Sequence, residues 1–329
     1  MTPIAPHITD FLRERLPIQR GASEHTCDSY AYAFQLLFQF ASERLRVTPS
    51  ALYLEQLDAP LVMDFLQYLE TERHNVPRTR NARLVAIKSF MRFVEHREPS
   101  LLEQSRRILA IPAKRTDNRL ISYLSLEEMQ AVLNAPNLQR RDGIRDRAML
   151  HLCFSAGLRV SELVNLPLNA LEFEPSPTVH IQGKGRRERL LPLWKQTTMD
   201  LRAWLAVRGE PLVPELFVNA RNQTMTRSGF KYILQKHVKV ATEQCLSLKK
   251  KKISPHVLRH TAAILVLQAT GDIRKVSLWL GHADIQTTEA YLRADPTEKL
   301  EAMDTMVPPT LKRGQFRAPD KLIASLHDT

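Results

Sequence analysis

From Ala22 to Asp142 this chain contains no glycine. Over so long a stretch, with apolar residues recurring at three- and four-residue steps, the pattern predicts helices joined by short connections. Tyr32, Phe34, Leu37, Phe38 and Phe40 form one apolar cluster, and Leu61, Phe65, Leu66 and Leu69 form the next. Leu84, Ile87, Met91 and Val94 then fall on a single stripe, a predicted core face, while Asn81, Lys88 and Arg92 project from another side of the same helix. That basic side suits either a phosphate backbone or plain solvent.

Residues 1–100 therefore read as one helical domain. Periodicity weakens between Pro99 and Ser122, where Pro112 and the Lys114-Arg115 pair predict a linker over 101–120. A second domain, 121–300, opens at Ser125, which with Glu128 has the spacing of a capping box. Helix from Gly143 runs to Gly157, which interrupts it just before Arg159 and is expected to let the backbone approach a ligand. Thr178–Ile181 and Glu188–Leu193 read as two short strands, with Lys184 at the tip of the turn between them. The predicted fold class is mostly α: a helical N-terminal domain, then a mixed α/β domain that is mainly helical with a small antiparallel sheet. Residues 301–329 form a tail with Pro308-Pro309, Lys312-Arg313 and an apolar patch at Leu322, Ile323 and Leu326.

Lys and Arg number 47 against 35 Asp and Glu, a formal net charge of +12. A broad positive field suits a polyanion such as nucleic acid, and charge alone would also suit an anionic membrane surface. No apolar run approaches the ~18 residues of a membrane span, and Met1 to Asp10 lacks the basic and apolar regions of a secretory signal, so a cytoplasmic protein with no membrane partner is expected. Cys27, Cys153 and Cys245 are odd in number and widely separated, which argues against disulfides and a zinc site.

The chemistry concentrates in the second domain. Arg159, Lys184, His256, Arg259, His282 and Tyr291 supply two guanidiniums, an ammonium, two imidazoles and a phenol. Pro255 is pre-set for a first helical turn, so His256 and Arg259, three apart, share a face. Asp272 is placed to cap a helix ending at Gly281, and Asp284 to cap another presenting Tyr291. Lys249, Lys250, Lys251 and Lys252 precede this cluster and read as a DNA-backbone clamp, as do Arg186 and Arg187 beside Lys184. Each residue alone has an ordinary structural explanation. Together they match a phosphodiester transition state, whose nonbridging oxygens planar guanidiniums and imidazole N–H groups can stabilise without a metal.

The block Gly157-Leu158-Arg159-Val160-Ser161-Glu162-Leu163, then Gly183-Lys184-Gly185-Arg186-Arg187-Glu188-Arg189, His256-x-x-Arg259-His260-Thr261, Leu280-Gly281-His282 and Thr287-Thr288-x-x-Tyr291 resembles the tyrosine recombinases of the phage-integrase family, of the simple two-domain kind. Thr26-x-x-x-Tyr30 and Thr79-Arg80-x-x-Arg83 are similar to that family's core-binding domain, which marks Arg80 and Arg83 as DNA contacts with Asn81, Lys88 and Arg92. The resemblance implies that Tyr291 attacks the scissile phosphate to give a 3′-phosphotyrosyl link, with Arg159, Arg259 and His282 on the nonbridging oxygens. It further implies that His256 assists them or accepts the tyrosine proton, that Lys184 protonates the leaving 5′-oxygen, and that Glu162 orients the site. No cofactor, metal or ATP is implied. The partners implied are double-stranded DNA and a homo-tetramer, or a hetero-tetramer with a related recombinase, assembled on two DNA sites, with 301–329 a candidate exchanged segment. Integration, excision and resolution of a DNA element all fit. A type IB-like topoisomerase and a catalytically silent DNA-binding protein are the alternatives.

Overall fold

The glycine-free stretch does fold as helices. The computed structural model describes residues 1–116, 121–183, 188–282 and 285–294. Two compact units, Met1–Asn118 and Arg119–Thr329, divide the chain.

In the first unit α1 (Ile4–Asp10) runs on as a π-helical segment, Phe11–Gln19, followed by α2 (Glu24–Leu45), α3 (Ala59–Thr71), α4 (Pro77–Arg97) and α5 (Leu102–Ala110). The core centres on three aromatic rings packed edge to face: Phe11 lies 6.0 Å from Phe34 and 5.4 Å from Phe90, and Phe34 lies 5.3 Å from Phe90. The stripe Leu84, Ile87, Met91 and Val94 is buried throughout, as its spacing predicts. Tyr32 is different: it stays exposed, with the Arg83 guanidinium 4.8 Å over its ring.

The linker expected at 101–120 is displaced. Residues 102–110 form α5, with Ile108 buried, and the Gln104 amide donates to the Leu54 and Leu57 carbonyls at 2.7 and 2.9 Å. Beyond α5, Arg80 donates to Pro112 O, and the Asn81 side chain bonds both the N–H and the C=O of Lys114. The chain thus stays on the first unit as far as Lys114. Nine helical residues are too few to show a period, and Pro99, which reads as a breaker, opens a 3₁₀ turn that leads into the helix.

The second unit contains α6 (Leu126–Asn134), α7 (Arg141–Ser155), α8 (Val160–Val164), β1 (Leu171–Glu172), β2 (Thr178–Gln182), β3 (Glu188–Pro192), α9 (Lys195–Arg208), α10 (Arg227–Gln244), α11 (Pro255–Thr270), α12 (Ile273–Leu280) and α13 (Gln286–Ala294). Ser125 and Glu128 form the expected capping box, the Glu128 carboxylate accepting from Ser125 N at 2.8 Å. Residues from Ala148 to Leu158 are buried without a break, so α7 is the central helix, flanked by α9, α6 and α11. The antiparallel sheet runs β1-β2-β3, with Val179 opposite Leu191 and Ile181 opposite Arg189. β1, two residues long, carries no alternation a sequence could reveal. Lys184, Arg186 and Arg187, between β2 and β3 in the sequence, lie outside the described residues, as do Asp284 and the tail 301–329. Among the described residues no helix is long and apolar enough to cross a membrane.

Gly157 ends α7 in the left-handed region at φ +57°, and a Cβ there would stand 2.7 Å from Leu280 Cδ2. Within the fold, the close approach it permits is to the end of α12. Gly157→Ala should lose about 1–3 kcal/mol of stability from backbone strain and the displaced Leu280. Urea denaturation of wild type and variant checks this, an unchanged midpoint counting against it.

Candidate active site

Glu162 is the centre from which the site is built. It lies in the single turn of α8, and its side chain is 6% exposed. One oxygen accepts from Arg159 Nη1 at 2.7 Å and the other from the Arg159 backbone N–H at 2.9 Å, so the carboxylate both caps α8 and fixes the guanidinium of the capping residue. Arg189, on β3, forms a two-pronged pair with the same carboxylate at 2.7 and 3.3 Å. Arg259 Nη1 stands 3.9 Å away on the third side. Burial raises the Glu162 pKa, but the hydrogen bond and charge of Arg189, with the bonds from Arg159, outweigh it and hold the carboxyl below its ordinary range. One carboxylate therefore steadies three guanidiniums.

The two expected phosphate-binding arginines sit differently. Arg159 is partly exposed, whereas Arg259 is buried, its Nη1 donating to Gly157 O at 2.5 Å and its Nη2 to Leu280 O at 2.7 Å. Burial and the nearby Arg159 charge lower the Arg259 pKa to about 10, still well above neutrality. His282 follows Gly281, which closes α12 in the left-handed region at φ +62°, and its Nδ1 lies 2.8 Å from Thr288 Oγ1 at the start of α13. Asp272 caps the other end of α12, as expected, by accepting from Arg274 N. Burial, then the positive charges of Arg259, Arg159 and Arg189, bring His282 down to about 4, so its ring is neutral near pH 7.

Tyr291, on α13, is 3% exposed and packs with Ile264, Leu267, Val276 and Leu280. Its ring lies parallel to His282, centroids 6.3 Å apart, and its hydroxyl is 3.0 Å from His260 Nδ1. Burial raises its pKa against the opposing pull of Arg259 and Arg159, so the phenol keeps its proton at neutral pH. His256 is exposed at the start of α11, its ring 6.4 Å from that of His260 one turn on. Five of the six expected catalytic residues thus lie in one unit, with Arg159, Arg259, His282 and Tyr291 within electrostatic reach of one another. The sixth, Lys184, lies outside the described residues.

Arg189, His260 and Thr288 were not among the expected site residues. Arg189 carried a signal: it shares the inward phase of β3 with Leu191, and a charge on the core side of a strand requires a partner. His260 lies four residues after His256, one helical turn along the same face.

The expected DNA contacts divide. Lys249, Lys250 and Lys252 are exposed, while Lys251 pairs with Glu128 Oε2 at 2.6 Å and donates to Tyr123 O within the second unit. Arg80 is buried on Pro112 O and Asn81, Asn81 is engaged by Lys114, and Arg83 donates to Ser29 O. Arg92 is exposed beside the half-buried Lys88, whose pKa burial and the neighbouring arginines lower.

Residues 122–298 match the phage integrase family, and residues 8–98 match the phage integrase N-terminal SAM-like domain. Over 326 residues, 98% of each chain, the sequence is 40% identical to the putative integrase/recombinase y4rC of Sinorhizobium fredii. It is 30% identical to the tyrosine recombinase XerC of Myxococcus xanthus, covering 94% of this chain and 99% of that one. In fold it is similar to XerH site-specific recombinase in a post-cleavage complex with its difH substrate, with TM-score 0.68 at 21% identity over 87% of this chain and 81% of that one.

Proposed function

This chain belongs to the phage integrase family, and we propose that it is a site-specific tyrosine recombinase that cleaves and rejoins DNA strands through a phosphotyrosyl intermediate. The observation that carries the reading is the cluster around Glu162: two expected phosphate-binding guanidiniums steadied by one carboxylate, with His282 and Tyr291 beside them. A scissile phosphate entering here meets Arg159 and Arg259 at its nonbridging oxygens, and with Nδ1 accepting from the Thr288 hydroxyl His282 would offer Nε2–H. Tyr291 Oη bonds to phosphorus as the bond to the 5′-oxygen breaks, and Lys184 protonates that oxygen, as in the family resemblance. The phosphotyrosyl ester keeps the energy of the broken linkage, so a second strand's 5′-hydroxyl reverses the step with no ATP. Positive charge that a metal would supply elsewhere comes from the guanidiniums.

The partners we propose are duplex DNA and further protomers, four of them on two sites. Lambda integrase, similar in fold at 13–14% identity and TM-scores of 0.61–0.62, forms a dimer on a COC′ core site and a tetramer on a Holliday junction. An apolar groove of about 680 Å³ on the second unit, bordered by Leu190, Trp194, Leu265, Val266, Leu278 and Trp279, suits the apolar end of a neighbour's tail. As DNA contacts we propose first the exposed or half-buried Arg92, Lys88, Lys249, Lys250 and Lys252, with Arg186 and Arg187, and after them Arg80, Asn81, Arg83 and Lys251, which also bond within the fold.

The test uses nicked suicide duplexes tiled across the DNA flanking the gene, incubated with the full chain in excess chelator and run on denaturing gels. A covalent adduct on a few fragments is expected. Strict dependence of cleavage on magnesium would overturn the reading, and relaxation of any supercoiled plasmid regardless of sequence would favour a type IB-like topoisomerase.

A further inference from the structure

The buried phenol of Tyr291 cannot attack phosphorus without losing its proton, and the site must hold a group to receive it. His256, the partner suggested by sequence, is exposed and its ring is next to that of His260. The nitrogen at hydrogen-bond distance from the phenol oxygen belongs to His260: Nδ1 to Oη is 3.0 Å, with ring centroids 5.6 Å apart and planes at 59°. We propose that His260 is the proton acceptor for Tyr291, receiving the phenol proton on Nδ1 as the nucleophile attacks and returning it on strand rejoining. This rests on the recombinase reading.

Three observations support it beyond the distance. His260 sits on α11 directly after the buried Arg259, which the Gly157 and Leu280 carbonyls fix, so the imidazole has a rigid mount. Its environment, from burial first and then His256 and Arg259, takes its pKa down to about 4, so at neutral pH Nδ1 or Nε2 offers an open lone pair. His282, the other imidazole beside the phenol, has its Nδ1 committed to Thr288.

The atoms balance. As the Oη–P bond forms and the P–O5′ bond breaks, the phenol proton passes to His260 Nδ1, and the leaving oxygen takes a proton from the general acid. His260 gains one proton, the general acid loses one, and rejoining reverses both. An acceptor this weak does not ionise the phenol in the empty site. Once a phosphodiester anion lies against Arg159 and Arg259, part of the positive field that depresses His260 is neutralised, and the proton can move as the new bond forms. Tyr291 thus stays a phenol until phosphate is in place.

Two measurements decide the matter. In the DNA-free chain labelled with ¹⁵N-histidine, long-range proton–nitrogen spectra should show His260 as the neutral Nε2–H tautomer, with an Nδ1 signal that shifts in Tyr291→Phe. A proton found on Nδ1 would make the phenol oxygen the acceptor and overturn the proposal. On a suicide duplex under single-turnover conditions, His260→Asn, which offers a hydrogen-bond acceptor but takes no proton, should slow adduct formation by about 100-fold or more. His260→Gln should do the same. Placing difluorotyrosine, a more acidic phenol, at position 291 should recover most of that loss in the His260 variants while changing wild type little. Equal effects of fluorine in wild type and variant, or recovery in His256→Asn instead, would show that His260 only packs against the tyrosine. A wild-type chain that gives no adduct on any duplex counts against the recombinase reading, whereas the tautomer is decided without DNA.

Discussion

In Tyr291→Phe the covalent protein–DNA complex disappears, adduct formation falling by at least about a thousandfold, while duplex binding persists. The phenol oxygen is the atom that would carry the ester, and Phe removes it while keeping the ring. Because that ring is buried among Ile264, Leu267, Val276 and Leu280, the helices around it should hold. The folded state gives up a hydrogen bond to His260, a cost of about 1 kcal/mol. Denaturing gels measure the adduct, gel shift at matched salt measures binding, and urea denaturation measures the fold. An adduct that persists in Tyr291→Phe would place the nucleophile elsewhere.

Glu162→Gln is expected to damage fold and chemistry together. Its carboxylate is the counter-charge for Arg159, Arg189 and Arg259, and the Arg189 pair is the buried one, with side chains 9% and 6% exposed. A buried ion pair that loses one partner typically costs about 3–5 kcal/mol, because the remaining charge is left uncompensated. In the other pair the Arg159 side chain is a third exposed, so that pair contributes less through solvent screening. Loosened guanidiniums should lower the cleavage rate by roughly 100-fold. The effect has a pH signature. Since the folded state holds the Glu162 carboxyl below its unfolded value, near 4.3, its stabilisation is fully present above that pH and is lost as pH falls through the folded value. The stability gap between wild type and Glu162→Gln should therefore be wide at pH 7 and narrow in acid. Denaturation midpoints at pH 7, 5 and about 3.5 would test this, and a gap constant across pH would show that the charge of Glu162 is not what stabilises the fold.

Features set by neighbouring residues could be read from the chain. The α4 stripe, the Ser125–Glu128 box, the Asp272 cap and strands β2 and β3 each depend on residues a few positions apart, where side-chain spacing and backbone geometry are linked. The Arg159–Glu162 pair, three apart between the cap and the turn of α8, is of the same kind. Features that join distant parts of the chain were not legible. Nothing local says that Arg189 reaches Glu162, 27 positions away, or that His260 meets Tyr291, 31 positions away. The same holds for the basic residues: Lys251 reads as a DNA contact from its run of lysines and Arg80 from the family resemblance, and nothing local tells that they also bond Glu128 and Pro112 O, 123 and 32 positions away.

Arg259 brings the end of α7 and the end of α12 together, one carbonyl from each accepting from its two arms. Lysine would keep the charge but could not reproduce that planar fork. A descendant of this protein that abandoned strand cleavage and lived on as a DNA-binding factor would still need Arg259 to keep its shape. The arginine is thus a poor witness to retained activity, and in sorting working enzymes from retired ones the diagnostic position is Tyr291, whose ring the fold needs and whose oxygen it does not.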